Sequence, residues 1–141
     1  IEYNCRFGDP ETQVVLPLLK SDLLTIMMAV ENGTLKDTEV KWADESACCV
    51  MIASGGYPEA YAKGKVISFG KADEMAQVFH SGTAMNDKGE FTTAGGRVLG
   101  VCCVRENLAA ARDAAYEACK EIHFEGMHMR TDIGARALKA L

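Results

Sequence analysis

Three polar side chains at the start of the chain have types and spacing that suggest phosphoryl transfer. Glu2, Asn4 and Arg6 are two residues apart, and alternate residues of a β-strand share one face of a sheet. A carboxylate and an amide oxygen are hard ligands that Mg²⁺ accepts, and a guanidinium matches a phosphate group. The spacing predicts a strand with a metal and phosphate face, on which Glu2 and Asn4 are the metal ligands. The intervening residues are then expected to enter a core: Ile1, Tyr3 and Cys5.

Residue types alone leave open a second interpretation, a polar strand face on which Glu2 pairs with Arg6. The chain then turns, and Asp9-Pro10 is typical of a helix start, with Asp at the N-cap and Pro at the first helical position. The predicted metal face would therefore lie beside a helix N-terminus. Asp9 and Glu11 are candidates for substrate contact beside this face. Both residues could also serve only to stabilise the helix N-terminus, through capping and the helix dipole.

A second candidate for anion binding is Arg97, which follows two glycines. Gly95-Gly96-Arg97 could bring backbone amides and a guanidinium to an anionic substrate. A glycine pair ahead of an apolar run is equally typical of a turn or a β-bulge, here before a strand predicted to start at Val98. Both interpretations stay open at this point.

The spacing of histidine and cysteine does not support a metal site. His123 and His128 are five residues apart, which matches neither one face of a helix nor one face of a strand. The six cysteines include the adjacent pairs Cys48-Cys49 and Cys102-Cys103, and no Cys-x-x-Cys occurs. Because strand neighbours point to opposite faces, we predict buried, reduced thiols in a cytosolic protein.

Composition indicates one globular protein with a real core. The chain has 141 residues, of which 48% are hydrophobic and 25% charged, and its formal net charge is −5. The acidic balance, without a stripe of Lys and Arg, argues against nucleic acid or an anionic membrane as a partner. No apolar run approaches the length of a membrane span, and no signal-peptide pattern precedes the first strand. We expect a fragment or a processed chain of a cytoplasmic protein.

Apolar runs and turn residues predict an α+β fold. Helices are expected over residues 10–16 and 21–32, with Ser21 as an N-cap, and Met27 and Met28 are expected to pack in the core. A connector over residues 33–38 is the best place for a domain boundary. The later elements are strands over 47–53, 65–69, 78–85, 90–93 and 98–104, a hairpin turn over 86–89, and a helix from an Asn107 cap to 122.

Residues 4–13, Asn-Cys-Arg-Phe-Gly-Asp-Pro-Glu-Thr-Gln, resemble the signature of the glycinamide ribonucleotide synthetase (phosphoribosylamine–glycine ligase) family of ATP-grasp ligases. The resemblance continues over essentially the whole chain, and it is to the C-terminal part of such enzymes. The further matching segments are 18–23 (LLKSDL), 55–58 (GGYP), 79–84 (FHSGTA), 95–99 (GGRVL) and 132–138 (DIGARAL).

The resemblance implies a fold and a set of site residues. Residues 1–36 would be the C-terminal strand and helices of an ATP-grasp domain, and residues 37–141 a small mixed β-sheet domain with a packed helix. Glu2 and Asn4 would bind the Mg²⁺ (or Mn²⁺) ions that bridge the phosphates of ATP. Arg6 would face the phosphoryl group as a catalytic and ATP-binding residue. Weaker candidates for substrate contact are Asp9, Glu11 and Arg97.

The resemblance also implies a reaction of de novo purine biosynthesis. Glycine and ATP would form glycyl phosphate, and the amine of 5-phosphoribosylamine would attack it to give glycinamide ribonucleotide, ADP and phosphate. The remainder of the ligase chain would be a required partner, so these residues alone are expected to be inactive. Two alternatives stay open: another ATP-grasp carboxylate–amine ligase, or a non-catalytic α+β binding module.

Overall fold

A computed structural model describes residues 3–140 of the chain. Helices and strands alternate irregularly along it, and two short 3₁₀ helices lie at Leu16–Leu18 and Leu35–Asp37. In chain order the elements are α1 (Thr12–Val15), α2 (Leu23–Glu31), β1 (Ser46–Ser54), α3 (Ala72–Met75), β2 (Gln77–His80), β3 (Thr83–Met85), β4 (Phe91–Thr93), β5 (Arg97–Arg105), α4 (Leu108–Cys119), β6 (Met127–Met129) and α5 (Ala135–Leu138).

The two long strands β1 and β5 pair in the middle of the main sheet. The strand order is β2-β5-β1-β6, and every neighbouring pair is antiparallel. Val50 lies opposite Val101 in the β1–β5 register, and both are fully buried. The two continuous apolar runs therefore form central strands, as the sequence predicted.

Helix α4 covers one face of this sheet. The Asn107 side chain accepts a hydrogen bond from the Ala110 amide at 2.9 Å, so the predicted N-cap is confirmed. Ala111, Ala115 and Cys119 are fully buried against the strands. Small side chains along this stripe let the helix approach the sheet closely, and the helix ends at Cys119, earlier than expected.

The N-terminal part of the chain covers the opposite face of the sheet. A Cβ on Gly100 of β5 would contact the Gln13 side chain at 3.8 Å and the Met51 sulfur at 3.1 Å. The segment is also tied to the chain that leads into β1, because the Ala43 amide donates to the Leu18 carbonyl at 2.7 Å. The sheet is thus sandwiched between α4 and the segment around α1.

The predicted N-terminal strand is absent from the described residues. Tyr3 is 93% exposed and Cys5 is exposed, so the prediction that they enter a core was wrong. A strand needs backbone partners, and none of the strands described within residues 3–140 pairs with this stretch. Ile1 and Glu2 lie outside the described residues.

The two N-terminal helices differ from prediction at their starts. Helix α1 begins only at Thr12, and Glu11 occupies its N-cap position, so Asp9 is not an N-cap. Helix α2 is capped by Asp22 rather than Ser21, because the Asp22 carboxylate accepts from the Thr25 amide at 2.7 Å and from its hydroxyl at 2.8 Å. These hydrogen bonds lower the pKa of Asp22. Gly33 ends α2 with φ +67°, as expected.

The core position predicted for Met27 and Met28 was wrong. Both side chains are exposed in the described structure, as are Leu24 and Val30 on the same helix. Helix α2 therefore presents an apolar surface that no other described element covers. No helix within residues 3–140 has the length and apolar character needed to cross a membrane.

Two strand predictions were only partly correct. The strand expected over 65–69 makes only isolated bridges, Val66 with Thr92 and Ser68 with His123. The run over 78–85 is divided by Ser81-Gly82 into β2 and β3, which belong to different sheets. The hairpin of β3 and β4 around residues 86–89 is confirmed.

A bulge at the start of β5 fixes the position of Arg97. Ile52 pairs with Leu99 but Ala53 pairs with Arg97, so the register shifts by one residue there. The preceding Gly96 lies under the ring of Tyr57, and a Cβ at Gly96 would overlap that ring. The bulge, which the sequence left as one alternative, is present, and the glycine serves close packing.

We predict that Gly96→Ala lowers the free energy of unfolding by about 2 kcal/mol, the typical cost of forcing an extra group into a packed site. The physical cause is overlap with the Tyr57 ring, so Tyr57→Ala should remove most of the penalty. Urea denaturation of the two single variants and the double variant measures the coupling. Equal penalties for Gly96→Ala with and without the Tyr57 ring would contradict this packing role.

Candidate functional site

Asn4, Arg6 and Glu11 form one exposed polar network. The Asn4 amide nitrogen donates to Glu11 Oε2 at 2.6 Å. The Asn4 amide oxygen accepts from the Arg6 backbone amide at 3.2 Å and from the Arg6 guanidinium at 3.0 Å. The turn between residues 6 and 11 therefore brings together three of the residues that the sequence singled out, without a strand to align them.

Asp9 and Arg97 form a second contact, and it joins the N-terminal segment to the sheet. Arg97 donates to the Asp9 backbone oxygen at 2.9 Å and lies 3.2 Å from Asp9 Oδ2. Gln13 of α1 donates to the other carboxylate oxygen, Oδ1, at 2.7 Å. Asp9 therefore orients Arg97, and it does not cap a helix.

A cavity of about 270 Å³ lies beside Arg97, on the face of the sheet away from α4. Its floor is β1 side chains, Cys49, Met51 and Ala53, and its walls include Pro10 and Tyr57. The polar groups that line it are Arg97, His128 and Arg130. An apolar floor with a cationic rim suits an anionic ligand that also carries an apolar or ring-shaped part.

Three of the lining residues were missed as candidates from sequence: Tyr57, His128 and Arg130. His128 reaches the cavity because β6 pairs with β1 and places it opposite Ala53. That pairing joins residues 75 positions apart in the chain, which local patterns do not show. The segments that resemble the ligase family, GGYP over 55–58 and DIGARAL over 132–138, were the nearest available signal.

The cysteine and histidine side chains near the site do not supply a nucleophile or a metal centre. Burial, with smaller contributions from the neighbouring thiols, raises the pKa of Cys49 to about 12, so the thiolate is scarce at neutral pH. His80 packs between the rings of Phe69 and Phe91, at centroid distances of 5.6 and 4.6 Å. Within residues 3–140, no group of three or more His, Cys, Asp or Glu side chains is arranged to hold a metal ion.

Asn4 offers an oxygen that suits Mg²⁺ or Mn²⁺ by chemical type. That oxygen now accepts two hydrogen bonds from Arg6, and a guanidinium and a divalent cation repel each other at such short range. Asn4, Arg6 and Glu11 are all exposed, so the guanidinium has room to turn toward a phosphate group. By chemical type Asn4 therefore fits as one metal ligand once Arg6 has moved, and the other predicted ligand, Glu2, lies outside the described residues.

The described residues thus place guanidinium groups in two separate networks, Arg6 with Asn4 and Arg97 with Asp9. The Asp9–Arg97 contact links these networks, because Asp9 lies in the turn between Arg6 and Glu11.

Comparison with known proteins identifies the family. The family model described as phosphoribosylglycinamide synthetase, C domain, matches residues 47–136. A curated phosphoribosylamine–glycine ligase from Synechocystis is 47% identical over 142 residues, covering 98% of this chain and 33% of that protein. A trifunctional purine biosynthetic protein, adenosine-3, from Gallus gallus is 47% identical over 144 residues, covering 100% of this chain and 14% of that protein.

The fold agrees with these relatives. The crystal structure of a phosphoribosylamine–glycine ligase from Thermotoga maritima superposes with a TM-score of 0.82 and 38% sequence identity, over 94% of this chain and 32% of that one. The chain spans about a third of the length of the curated ligases it matches. The chain shares both its sequence and its mixed α/β architecture with antiparallel sheets with these relatives. The chain belongs to the phosphoribosylglycinamide synthetase C-domain family.

Proposed function

We propose that this chain is the C-terminal part of an ATP-dependent ligase that joins glycine to 5-phosphoribosylamine in purine biosynthesis. The observation that carries the proposal is the 43–47% identity to curated phosphoribosylamine–glycine ligases over 95% or more of the chain. Glycine is activated by ATP as glycyl phosphate, and the amine of 5-phosphoribosylamine displaces the phosphate. The guanidinium groups of Arg6 and Arg97 support this reaction, because each can donate hydrogen bonds to a phosphate group.

Asn4 and Arg6 act on the phosphates of ATP in this proposal. Bound Mg²⁺, held by Glu2 and Asn4, would offset the negative charge of those phosphates. Arg6 releases the Asn4 oxygen and directs its guanidinium to the transferring phosphoryl group, whose charge it stabilises. Glu11 accepts a hydrogen bond from the Asn4 amide nitrogen at 2.6 Å and so fixes the orientation of the amide whose oxygen would hold the metal.

Arg97 binds the phosphorylated amine. Its contacts with Asp9 use one N–H on each terminal nitrogen, and a guanidinium has five N–H donors, so donors remain for a phosphate. The cavity floor then accepts the ribose ring of the same molecule. Asp9 holds Arg97 in position without contacting the substrate.

The proposal also covers the domain division and the cellular location of the full-length ligase. Residues 1–36 would close an ATP-grasp domain and residues 37–141 would form the domain beyond it; in support, the family match begins only at residue 47. We place the enzyme in the cytoplasm, because all six cysteines are free thiols and reducing compartments preserve them. An ATP-grasp ligase for another substrate would share the Asn4 and Arg6 chemistry, and the names of the relatives favour glycine and phosphoribosylamine.

In the full-length ligase, we predict that Asn4→Ala and Glu2→Ala each lower kcat by at least about a hundredfold, the scale of a lost transition-state contact. Glu2→Ala should be the more severe change because it also removes a negative charge. Excess Mg²⁺ should recover part of the Asn4→Ala defect and little of the other. The measurement is kcat against Mg²⁺ concentration.

Glu106→Ala is the matched control, since it removes an exposed carboxylate between β5 and α4, away from the site. The control should keep normal turnover, and melting temperatures should change little in all three variants. Near-normal turnover of Glu2→Ala at ordinary Mg²⁺ would show that this stretch does not bind the metal.

Exposed apolar side chains in residues 3–42 support a further proposal, that the preceding part of the ligase packs against this stretch. Most of the large apolar side chains that are exposed in the structure lie in this stretch, and an apolar surface of this extent marks an interface. They are Tyr3, Phe7, Val15, Leu24, Met27, Met28, Val30, Leu35, Val40 and Trp42. In the relatives, about two thirds of the chain lies outside the matched region, which is enough to form the covering domain.

We predict that Met28→Glu lowers the free energy of unfolding of the full-length ligase by about 2 kcal/mol, because it buries a charge in the proposed interface. Met85→Glu is the matched control: Met85 is 62% exposed and Met28 is 56% exposed in the structure, but Met85 lies on the hairpin outside this stretch. Denaturant unfolding should show a change within about 0.5 kcal/mol for the control. Equal, small effects of both substitutions would refute the interface.

A further inference from the structure

Two side chains of α4 hold the backbone of residues 130–133, just beyond the edge strand β6. The Tyr116 hydroxyl donates to the Arg130 carbonyl at 2.8 Å and accepts from the Ile133 amide at 3.1 Å. Arg112, one helical turn earlier, donates from Nε to the Ile133 carbonyl at 2.8 Å and from Nη2 to the Thr131 carbonyl at 3.4 Å. Four backbone groups of a segment without regular structure are thus satisfied by two side chains.

The pair formed by Arg112 and Tyr116 is itself held in place. The Arg112 guanidinium carbon lies 5.0 Å from the centroid of the Tyr116 ring, and the Arg112 side chain is only 24% exposed. Its remaining terminal nitrogen, Nη1, bonds Asp113 at 3.0 Å. The contacts between the two side chains therefore restrict their movement and keep both in the orientation that binds the segment.

The same segment forms a wall of the cavity beside Arg97. Arg130 and Ile133 both line that cavity, whose floor is on the sheet face away from α4. Asp132 accepts two hydrogen bonds from Arg130, at 2.9 Å to Oδ1 and 2.7 Å to Oδ2. The backbone contacts from α4 and this forked pair together fix where the Arg130 side chain stands.

We infer that Arg112 and Tyr116 are positioning residues for binding of the phosphorylated amine: they hold residues 130–133 so that Arg130 and Ile133 complete the cavity beside Arg97. The inference rests on the proposed function of Arg97. It adds that affinity for this one substrate is set from the opposite side of the sheet. Binding of ATP, whose phosphates the proposed function assigns to Asn4 and Arg6, and binding of glycine do not depend on the pair.

The test uses Tyr116→Phe in the full-length ligase, because this change removes both hydrogen bonds of the hydroxyl and keeps the ring under Arg112. KM for 5-phosphoribosylamine should rise about tenfold, the scale of two lost neutral hydrogen bonds. The kcat should stay within about twofold, and KM for ATP and glycine should not change. Arg112→Lys, which keeps the charge but not the planar fork, should shift the same KM in the same direction.

Glu117→Gln is the matched control on the same helix, since Glu117 is exposed and pairs with Lys120 of its own turn at 2.6 Å. It should leave all three KM values unchanged. A lower melting temperature of Tyr116→Phe with an unchanged KM for the amine would show a structural role only and overturn the inference.

Arg97→Ala, measured in the same assay, separates this inference from the proposed function. If Arg97→Ala raises KM for the amine and Tyr116→Phe does not, the positioning role is wrong and the assignment of Arg97 stands. If neither variant raises it, the cavity does not bind the amine and both are wrong. Support for the inference requires both variants to raise KM for the amine alone.

Discussion

The contact between Arg97 and Asp9 is the interaction on which the arrangement of the site depends. Arg97 is fixed by the sheet, since it starts β5 at a bulge and follows a glycine packed under Tyr57. Asp9 lies three residues after Arg6 in the chain, in the turn that carries the Asn4 and Arg6 network. The Arg97 side chain is 40% exposed and the Asp9 side chain 44% exposed. Because solvent screens the pair, it adds at most about 1 kcal/mol to the free energy of unfolding. Its importance is alignment: it holds the turn over residues 6–11 beside the cavity of the sheet, which Pro10 and Arg97 both line.

The sequence predicted well those elements whose signals are local. Strands β1 and β5 are continuous apolar runs, and α4 has an Asn107 cap and a stripe of small residues, so each is recognisable within its own stretch. Predictions failed where the structure depends on partners elsewhere. The stretch around Tyr3 has no described strand beside it, and Met28 is exposed, whereas the apolar pattern of both indicated burial. Asp22 replaced its neighbour Ser21 as a cap because only its carboxylate reaches the Thr25 amide.

The sequence identified candidate residues by type but did not predict how they are arranged. Asn4, Arg6, Glu11, Asp9 and Arg97 were all identified as candidates, and the structure divides them between two networks. Residues such as His128 and Arg130 were missed, because they reach the cavity only through the pairing of β6 with β1. Long-range pairing of this kind leaves no periodicity in a single sequence. The hydrogen bonds from Tyr116 to residues 130–133 belong to the same class of information.

We propose that Asp9 acts through Arg97, and a double-mutant cycle in the full-length ligase tests this role directly. Asp9→Ala and Arg97→Ala should each lower kcat/KM for 5-phosphoribosylamine, and the double variant should be no worse than Arg97→Ala alone, because Asp9 has nothing to position once Arg97 is gone. That outcome is a coupling energy close to the whole effect of Asp9→Ala. Additive losses, with a coupling energy within about 0.3 kcal/mol of zero, would contradict the account.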